Sequence, residues 1–166
     1  MWYKIERKAK GNCMFSGAIP KFAGLLATAF LLQAATPTPT PKDVSDSKYK
    51  PGQRWTYKTR PSEPDSTLII LRTVDIGKER VVLVRIEGLK ANFCKRPVPL
   101  LAFVSIAKSG LDSSVIKIIE TKPAPSFDSF YQGWLKTWDN GKPKYQTEDV
   151  RGMLDNVENK SNRSCP

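Results

Sequence analysis

Strict alternation in residues 54–60 (RWTYKTR) constrains the fold of this chain more than any other feature. Trp55, Tyr57 and Thr59 fall on one side of an extended chain, and the polar residues between them fall on the other. Apolar and polar residues that repeat with period two are typical of a strand with one buried face. Residues such as Pro51 and Pro61 mark turns at both ends. We therefore predict a half-buried strand here.

Two apolar segments follow this strand at short intervals. Residues 67–74 (TLIILRTV) are apolar on both faces at first, as in an interior strand, and residues 80–87 (RVVLVRIE) form the next strand. Gly77 lies in the short turn between them. Short connections between consecutive strands favour an antiparallel meander, and we expect a sheet of three to five strands. Farther along the chain, residues 100–106 (LLAFVSI) fit either a strand or a buried segment.

Helices are expected in the second half of the chain. Apolar residues at helical spacing in residues 109–119 predict a helix that Ser109 could cap, although the β-branched run VIKII favours a strand instead. Residues 126–138 carry a stripe of aromatic residues, for which we predict a helix between a Ser126 cap and Gly141. The stripe contains Phe127, Phe130, Tyr131, Trp134 and Trp138.

The C-terminal part is less regular. Residues 145–150 could add a last strand or lead into a short helix over 148–157, and we expect residues 158–166 to be a loose polar tail. The expected fold class is α+β, with an antiparallel sheet packed by two or three helices. Of the aromatic stripe, we expect Phe130, Trp134 and Trp138 in the core. Tyr131 and Trp134 are also candidates for lining a binding groove.

The N-terminal region resembles an export signal. Residues 22–35 are uncharged and follow several lysines and arginines, and the run is short for a permanent membrane anchor. We expect a signal peptide over 1–35, with Met14 as a possible start, a Thr/Pro-rich linker over 36–48 and one domain over 49–157. The expected location is extracytoplasmic, either periplasmic or secreted. An uncleaved membrane tether and a buried N-terminal helix are the alternatives.

The charge balance favours anionic partners. The chain has 27 lysines and arginines against 16 aspartates and glutamates; without residues 1–35 the numbers are 22 and 15, a net charge of +7. Outside the cytoplasm the available anions are phospholipid head groups, envelope polymers and acidic proteins, so we expect anionic envelope components or another envelope protein as partners and no nucleic acid.

The absence of histidine limits the possible chemistry. With no histidine in 166 residues, Ser–His–Asp catalysis, Cys–His catalysis and His-ligated zinc sites are excluded. No glycine-rich phosphate loop is present either, and the sequence predicts no cofactor, no metal and no recognised catalytic residue.

Two cysteines remain once Cys13 leaves with the signal. Cys94 and Cys165 could form one disulfide in an oxidising compartment, or they could be two free buried thiols. Their spacing alone does not decide between these alternatives.

Three segments together resemble a family of small bacterial proteins, many with an export signal, that has no established activity. The first two are a Gly-x-x-Trp-x-Tyr start at Gly52 and an Arg-Pro-x-Glu-x-Asp-Ser turn at Arg60. The third is a Tyr-x-x-Trp helix at Tyr131, and the resemblance covers residues 49–157. It implies a shared fold and no activity. The chain departs from the family after Gly141, where it continues with Lys-Pro-Lys-Tyr-Gln instead of a glycine and an apolar strand.

The turn after the first strand contains the candidate site. Arg60, Glu63, Asp65 and Ser66 place a cation, two carboxylates and a hydroxyl at the ends of two strands. Glu63 and Asp65 could act as a general acid and base if their environments separated their pKa values, which would make the protein a small hydrolase. Loop carboxylates more often cap backbone amides or pair with a neighbouring arginine.

A second candidate is the polar face of the first strand. Arg54, Lys58 and Arg60 alternate with the rings, so we expect the three cations to project together into solvent as a patch. Such a patch would attract anionic surfaces, as in a protein that associates with membranes through its charge. The favoured function is a non-catalytic binding or interaction module of the cell envelope.

Overall fold

The computed structural model describes residues 40–137 and 144–165, which form six strands and three helices. The predicted signal peptide and residues 36–39 of the predicted linker lie outside the described residues, as do Trp138 and Gly141. The elements follow the order β1 Lys42–Asp43, β2 Gln53–Tyr57, β3 Thr67–Ile76, β4 Glu79–Phe93, β5 Arg96–Ala107, α1 Lys108–Ser114, β6 Val115–Thr121, α2 Asp128–Lys136 and α3 Val150–Arg163.

The sheet confirms the predicted α+β class and antiparallel meander. Its strands lie in the order β5-β4-β3-β2-β6, and the very short β1 pairs with β3 beside this path. The total of six strands therefore exceeds the expected three to five. All pairs of named strands are antiparallel. Because β5 and β6 lie at opposite edges, the connection through α1 crosses the sheet.

Each face of the sheet carries its own apolar core. On one face, α1 and α3 cover residues such as Trp55, Leu68 and Ile86, and Leu111 and Met153 contribute from the helices. On the other face, α2 covers the end of the sheet that contains Leu71, Val74 and Leu83. The remainder of this second face has no helix over it among the described residues and carries charged side chains.

Prolines mark β5 as an edge strand. Pro97 and Pro99 lack the N–H group that an interior strand needs, so they are tolerated only where one side of the strand has no neighbouring strand. The ambiguous residues 100–106 are therefore part of a strand. Near its end, Ala107 donates to the carbonyl of Gln146, and Gln146 donates to the carbonyl of Ser105.

The helix predicted over residues 109–119 is only half present. Helix α1 begins at Lys108 and ends at Ser114, and the VIKII run is strand β6. Ser109 lies inside the helix instead of capping it, because Ala107 occupies the N-cap without a side-chain bond. The β-branched side chains lose less conformational freedom in a strand than in a helix, and β2 provides an edge for them to pair with.

The aromatic helix is present, with two corrections. Helix α2 starts at Asp128 with Phe127 as its N-cap, so Ser126 does not cap it. Of the residues expected in the core, Trp134 is buried, together with Phe127 and Tyr131, but Phe130 is 52% exposed. Residues 127, 131 and 134 form a narrow stripe that faces the sheet, and Phe130 lies at the margin of that stripe.

Both boundaries of the domain extend beyond the prediction. At the N-terminal end, β1 pairs with β3, and the buried Asp46 accepts hydrogen bonds from the amides of Lys48 and Tyr49. At the C-terminal end, α3 starts with an Asp149 cap and continues to Arg163, so the expected loose tail is mostly helix. None of the helices within residues 40–137 and 144–165 is long and apolar enough to cross a membrane.

Candidate functional site

The predicted turn site is a buried network of ion pairs around Arg60. Arg60 Nε donates to Glu63 Oε1 at 2.8 Å, and Arg60 Nη2 donates to Glu63 Oε2 at 2.9 Å. Arg60 Nη1 donates to Glu158 at 2.5 Å and to Asp155 at 3.4 Å, both on α3. The amide of Lys90 donates to Glu63 Oε2 at 2.8 Å. Arg60 therefore attaches the turn after β2 to the C-terminal helix.

This arrangement leaves no acid–base pair at the turn. Glu63 is 1% exposed and both of its oxygens accept hydrogen bonds, whereas Asp65 is exposed to solvent. Burial alone would raise the pKa of Glu158, but the amide of Asn92 and the guanidinium of Arg60 outweigh it and lower that pKa. The Arg60 cluster thus favours the charged form of Glu158.

Ser66 has a structural role in the same region. Its buried hydroxyl donates to the carbonyl of Glu87 at 2.8 Å, so the hydroxyl of Tyr57, 2.7 Å away, must donate to Ser66. Burial, the first of the causes, raises the pKa of Tyr57 to about 12. The Ser66 oxygen is committed to these two partners, which closes the end of the hairpin between β2 and β3.

The predicted cationic patch is not a set of three free cations. Arg60 is buried, and Arg54 on β2 lies 2.8 Å from Glu87 on β4 and 3.5 Å from Glu120 on β6. Of the three predicted cations, only Lys58 is exposed. The expectation was wrong because it considered β2 alone, and neighbouring strands supply carboxylates to the same face. Alternating charges cross the uncovered face as a ladder of Arg85, Glu87, Arg54, Glu120 and Lys122.

Tyr131 and Trp134 belong mainly to the core beneath α2. Their rings lie 5.8 Å apart, and the Arg72 guanidinium lies 4.6 Å from the centre of the Tyr131 ring. Trp134 Nε1 donates to the carbonyl of Lys144 at 2.9 Å. Trp134 also borders a shallow depression of about 280 Å³ with Phe103 of β5, but Tyr131 does not line it.

The two cysteines are joined, which resolves the alternative that the sequence left open. Cys94 and Cys165 form a disulfide across 71 residues, with their Cα atoms 5.4 Å apart. Cys94 and Lys95 form the tip between β4 and β5, and both have positive φ angles, of 51° and 62°. Positive φ at both central residues is the geometry of a tight hairpin turn. The amide of Cys94 donates to Asn162 Oδ1 at 2.9 Å, so α3 and Cys165, which follows it, both hold this tip.

A depression of about 680 Å³ lies around this disulfide. It is lined by Asn92, Phe93, Cys94, Lys95, Arg96, Asn162 and Cys165. A second depression of about 440 Å³ uses the same end of α3 and is lined by Asn156, Lys160, Arg163 and Ser164. We call these two sets of residues together the hairpin–helix surface.

The hairpin–helix surface has an excess of positive charge. Lys95, Arg96, Lys160 and Arg163 have no carboxylate partner within ion-pair distance among the described residues. The nearest acidic residues along α3, Asp155 and Glu158, are bound by Arg60. The four cations therefore keep their charge available for an anion from outside.

Sequence reasoning missed this surface because its residues lie in segments that had no predicted structure. Lys95 and Arg96 occur in the stretch interrupted by prolines, and Lys160 and Arg163 occur in the expected loose tail. A signal was nevertheless present. Asn156, Lys160 and Arg163 are spaced as one helical face, and Lys95 and Arg96 directly follow a cysteine whose partner lies in the same tail.

No group of metal-ligating side chains occurs in the part of the chain that the structure describes. The chain matches no family model, no curated protein sequence and no solved structure. Membership of the family named above therefore stays an expectation.

Proposed function

We propose that this protein is a non-catalytic binding module that works outside the cytoplasm and holds an anionic polymer of the cell envelope on its hairpin–helix surface. One observation carries the proposal. Of four cations without carboxylate partners among the described residues, Lys95 and Arg96 border the depression at the hairpin tip, and Lys160 and Arg163 border the depression along the C-terminal half of α3. Elsewhere in the described residues, Arg54, Arg72 and Arg80 are neutralised by carboxylates, although exposed lysines such as Lys58 and Lys78 also have no ion pair.

A rigid surface supports binding of a charged polymer. The tip of the β4–β5 hairpin is attached to α3 through the disulfide and through Asn162, so Lys95 and Arg96 keep their position relative to the helix. Binding to a preorganised surface loses less conformational entropy than binding to a flexible one. A single small anion would not need both depressions, whereas a polymer with repeated negative charges could contact all four cations.

The extracytoplasmic location has two supports. Disulfides persist mainly in oxidising compartments, and Cys94 and Cys165 are joined. The apolar run over residues 22–35, followed by alternating threonine and proline, also fits export.

Catalysis is the weaker candidate. The hydrolase alternative depended on Glu63 and Asp65, and Glu63 has both oxygens committed to Arg60 and to the amide of Lys90. A carboxylate with no accessible oxygen cannot take a proton from a substrate, because a general base must reach that proton within hydrogen-bond distance.

The test removes the positive charge of the hairpin–helix surface and compares it with an equal loss elsewhere. The test variant carries Lys95→Gln, Arg96→Gln, Lys160→Gln and Arg163→Gln. The control variant carries Lys42→Gln, Lys50→Gln, Lys78→Gln and Lys136→Gln, which are exposed positions distributed over other elements. Both variants lose four positive charges. Affinity for an immobilised polyanion is measured by the salt concentration at which each protein elutes.

We expect the test variant to elute at a much lower salt concentration than the control variant. A cation close to a strongly charged surface contributes about 1 kcal/mol, so four replacements lower the affinity by up to about a thousandfold. Equal weakening of both variants would contradict the proposal, because total charge would then be responsible. Binding to vesicles of anionic phospholipid without binding to the polyanion would make the partner a membrane surface instead.

A further inference from the structure

Strand β6 exposes an apolar edge that neither the fold nor the proposed function uses. Ile116, Ile118 and Ile119 are 61%, 44% and 48% exposed. The strand lies at the end of the sheet path, so its outer side has no neighbouring strand among the described residues. An exposed apolar edge strand is a template for pairing with another strand, and natural proteins usually protect such edges.

Two bulges give β6 an unusual pattern of faces. Trp55 pairs with Ile118 and Tyr57 pairs with Val115, so these β6 residues face the core side that Trp55 and Tyr57 occupy. Arg54 pairs with Glu120 and Thr56 pairs with Lys117, on the opposite side. Each register shift adds one residue to β6, at Ile116 and at Ile119, and in such a bulge two residues oppose one.

The bulges explain why the sequence VIKIIE has apolar residues at adjacent positions. They place Val115, Ile116, Ile118 and Ile119 toward one side of the sheet edge. Lys117 and Glu120 are left on the other side. A strand without bulges would have placed Lys117 and Ile119 on the same side. The apolar and charged residues of β6 are therefore separated between the two sides.

We propose that β6 pairs antiparallel with β6 of a second copy of this chain. The occupant is a second copy because the strand is complementary to itself in charge. When two β6 strands run antiparallel with Lys117 opposite Glu120 of the second copy, the reciprocal pair forms as well. In the same register, Ile118 lies opposite Ile119 of the second copy, and Ile116 lies opposite Thr121 of the second copy.

The faces of the bulged strand are compatible with this register. Side chains that lie opposite each other across an antiparallel pair point to the same side of the sheet. Lys117 and Glu120 share one side only because the bulge at Ile119 shifts the alternation between them. The four central isoleucines, two from each copy, meet on the other side and lose their exposure to water.

The charges on β6 act differently toward different partners. A lysine in the middle of an edge strand disfavours pairing with an arbitrary strand, because its charge would be left without a partner. In the proposed register Lys117 meets a carboxylate. Glu120 is already held on this side by Arg54 and Lys122. The joined sheet would be ten strands wide, five from each copy.

The first test measures the mass of the protein in solution by sedimentation at several concentrations. We expect wild-type protein to associate into a dimer and Ile118→Lys to be monomeric under the same conditions. Phe130→Lys is the matched control, since Phe130 is also an exposed apolar residue but lies on α2. It should dimerise like the wild type. A wild-type protein that stays monomeric up to its solubility limit, or a dimer that survives Ile118→Lys, would overturn the proposal.

The second test uses the reciprocity of the charge pairs. Lys117→Glu alone places two glutamates opposite each other twice in every dimer, and Glu120→Lys alone does the same with lysines. Each variant should therefore be mainly monomeric. An equimolar mixture should recover dimer, because one copy then carries two glutamates and the other carries two lysines.

This mixture distinguishes pairing in one specific register from non-specific association. Because Glu120→Lys also removes the contacts with Arg54 and Lys122, the thermal unfolding of each variant is recorded first. If Glu120→Lys does not fold, Glu120→Gln takes its place and should weaken the dimer less than Lys117→Glu does. Failure of the mixture of folded variants to dimerise, or full dimerisation of Lys117→Glu alone, would contradict the proposed register.

Discussion

At the scale of single residues, Arg60 shows how a charged side chain can become part of the core. Its guanidinium contacts Glu63 in the turn and Glu158 on α3, and only 8% of the residue is exposed. A buried charge is tolerated only when its partners satisfy it, since removal from water costs several kcal/mol. The Arg60 side chain therefore has a structural role, although the alternation in β2 predicts it in solvent.

We expect Arg60→Gln to destabilise the fold by about 3–5 kcal/mol, because it leaves the Glu63 carboxylate buried without its cation. Lys58→Gln, two positions earlier and exposed, should change the stability by less than about 0.5 kcal/mol. Urea unfolding measures both values. A double variant with Arg60→Met and Glu63→Leu should recover much of the loss, since apolar side chains can replace a buried ion pair. Equal stabilities of Arg60→Gln and Lys58→Gln would show that the ion pairs of Arg60 contribute nothing to the free energy of unfolding.

At the scale of elements, α2 and β6 differ in how far a local pattern determines the structure. The aromatic spacing in α2 predicts both the helix and most of its buried face. In β6 the apolar positions fit a helix and also a strand with two bulges, because both place residues 115, 118 and 119 on one side. The neighbouring edge of β2 selects the strand.

The buried stripe of α2 provides a prediction at this scale. Truncating Trp134 to alanine should cost about 3–5 kcal/mol, because a large ring leaves a cavity beneath the helix. Phe130→Ala removes a half-exposed ring from the same helix and should cost much less, within about 0.5 kcal/mol. Thermal or urea unfolding of the two variants decides the matter. Similar losses for both would mean that Phe130 also packs in the core.

At the scale of the whole molecule, the C-terminal helix completes the fold. Helix α3 contributes Met153 and Leu154 to the core and receives Arg60 from the turn. The disulfide then closes a loop of 71 residues between the β4–β5 hairpin and the end of the helix. Cross-links over long loops stabilise a fold mainly because they restrict the unfolded chain.

Replacing both Cys94 and Cys165 by serine should lower the stability by about 2–5 kcal/mol. Hydrogen exchange should become faster in the last turns of α3, where Asn162 holds the hairpin tip, and less so near the Asp149 cap. If the hairpin–helix surface binds an anionic polymer, this variant should also bind it more weakly. Unchanged exchange at both ends of α3 would show that the disulfide is not needed to hold the helix.

The α+β class, the strands β2 to β4 and the helix α2 follow from local patterns in the amino-acid sequence. Each has a local signal of period two or 3.6 that is read within about ten residues. The absence of histidine excluded several chemistries without any structure. These inferences depend on residues that are neighbours along the chain. The spacing of apolar residues itself decides which face of a strand or helix is buried.

Which charges are neutralised and which remain unpaired depends on contacts between residues far apart in the chain. The partners of Arg54 are 33 and 66 residues away, Arg60 reaches Glu158 across 98 residues, and Cys94 reaches Cys165 across 71. No local period reports such contacts. These distant carboxylates neutralise Arg54 and Arg60, whereas Lys95, Arg96, Lys160 and Arg163, which lie in two segments without a local pattern, have no carboxylate partner among the described residues.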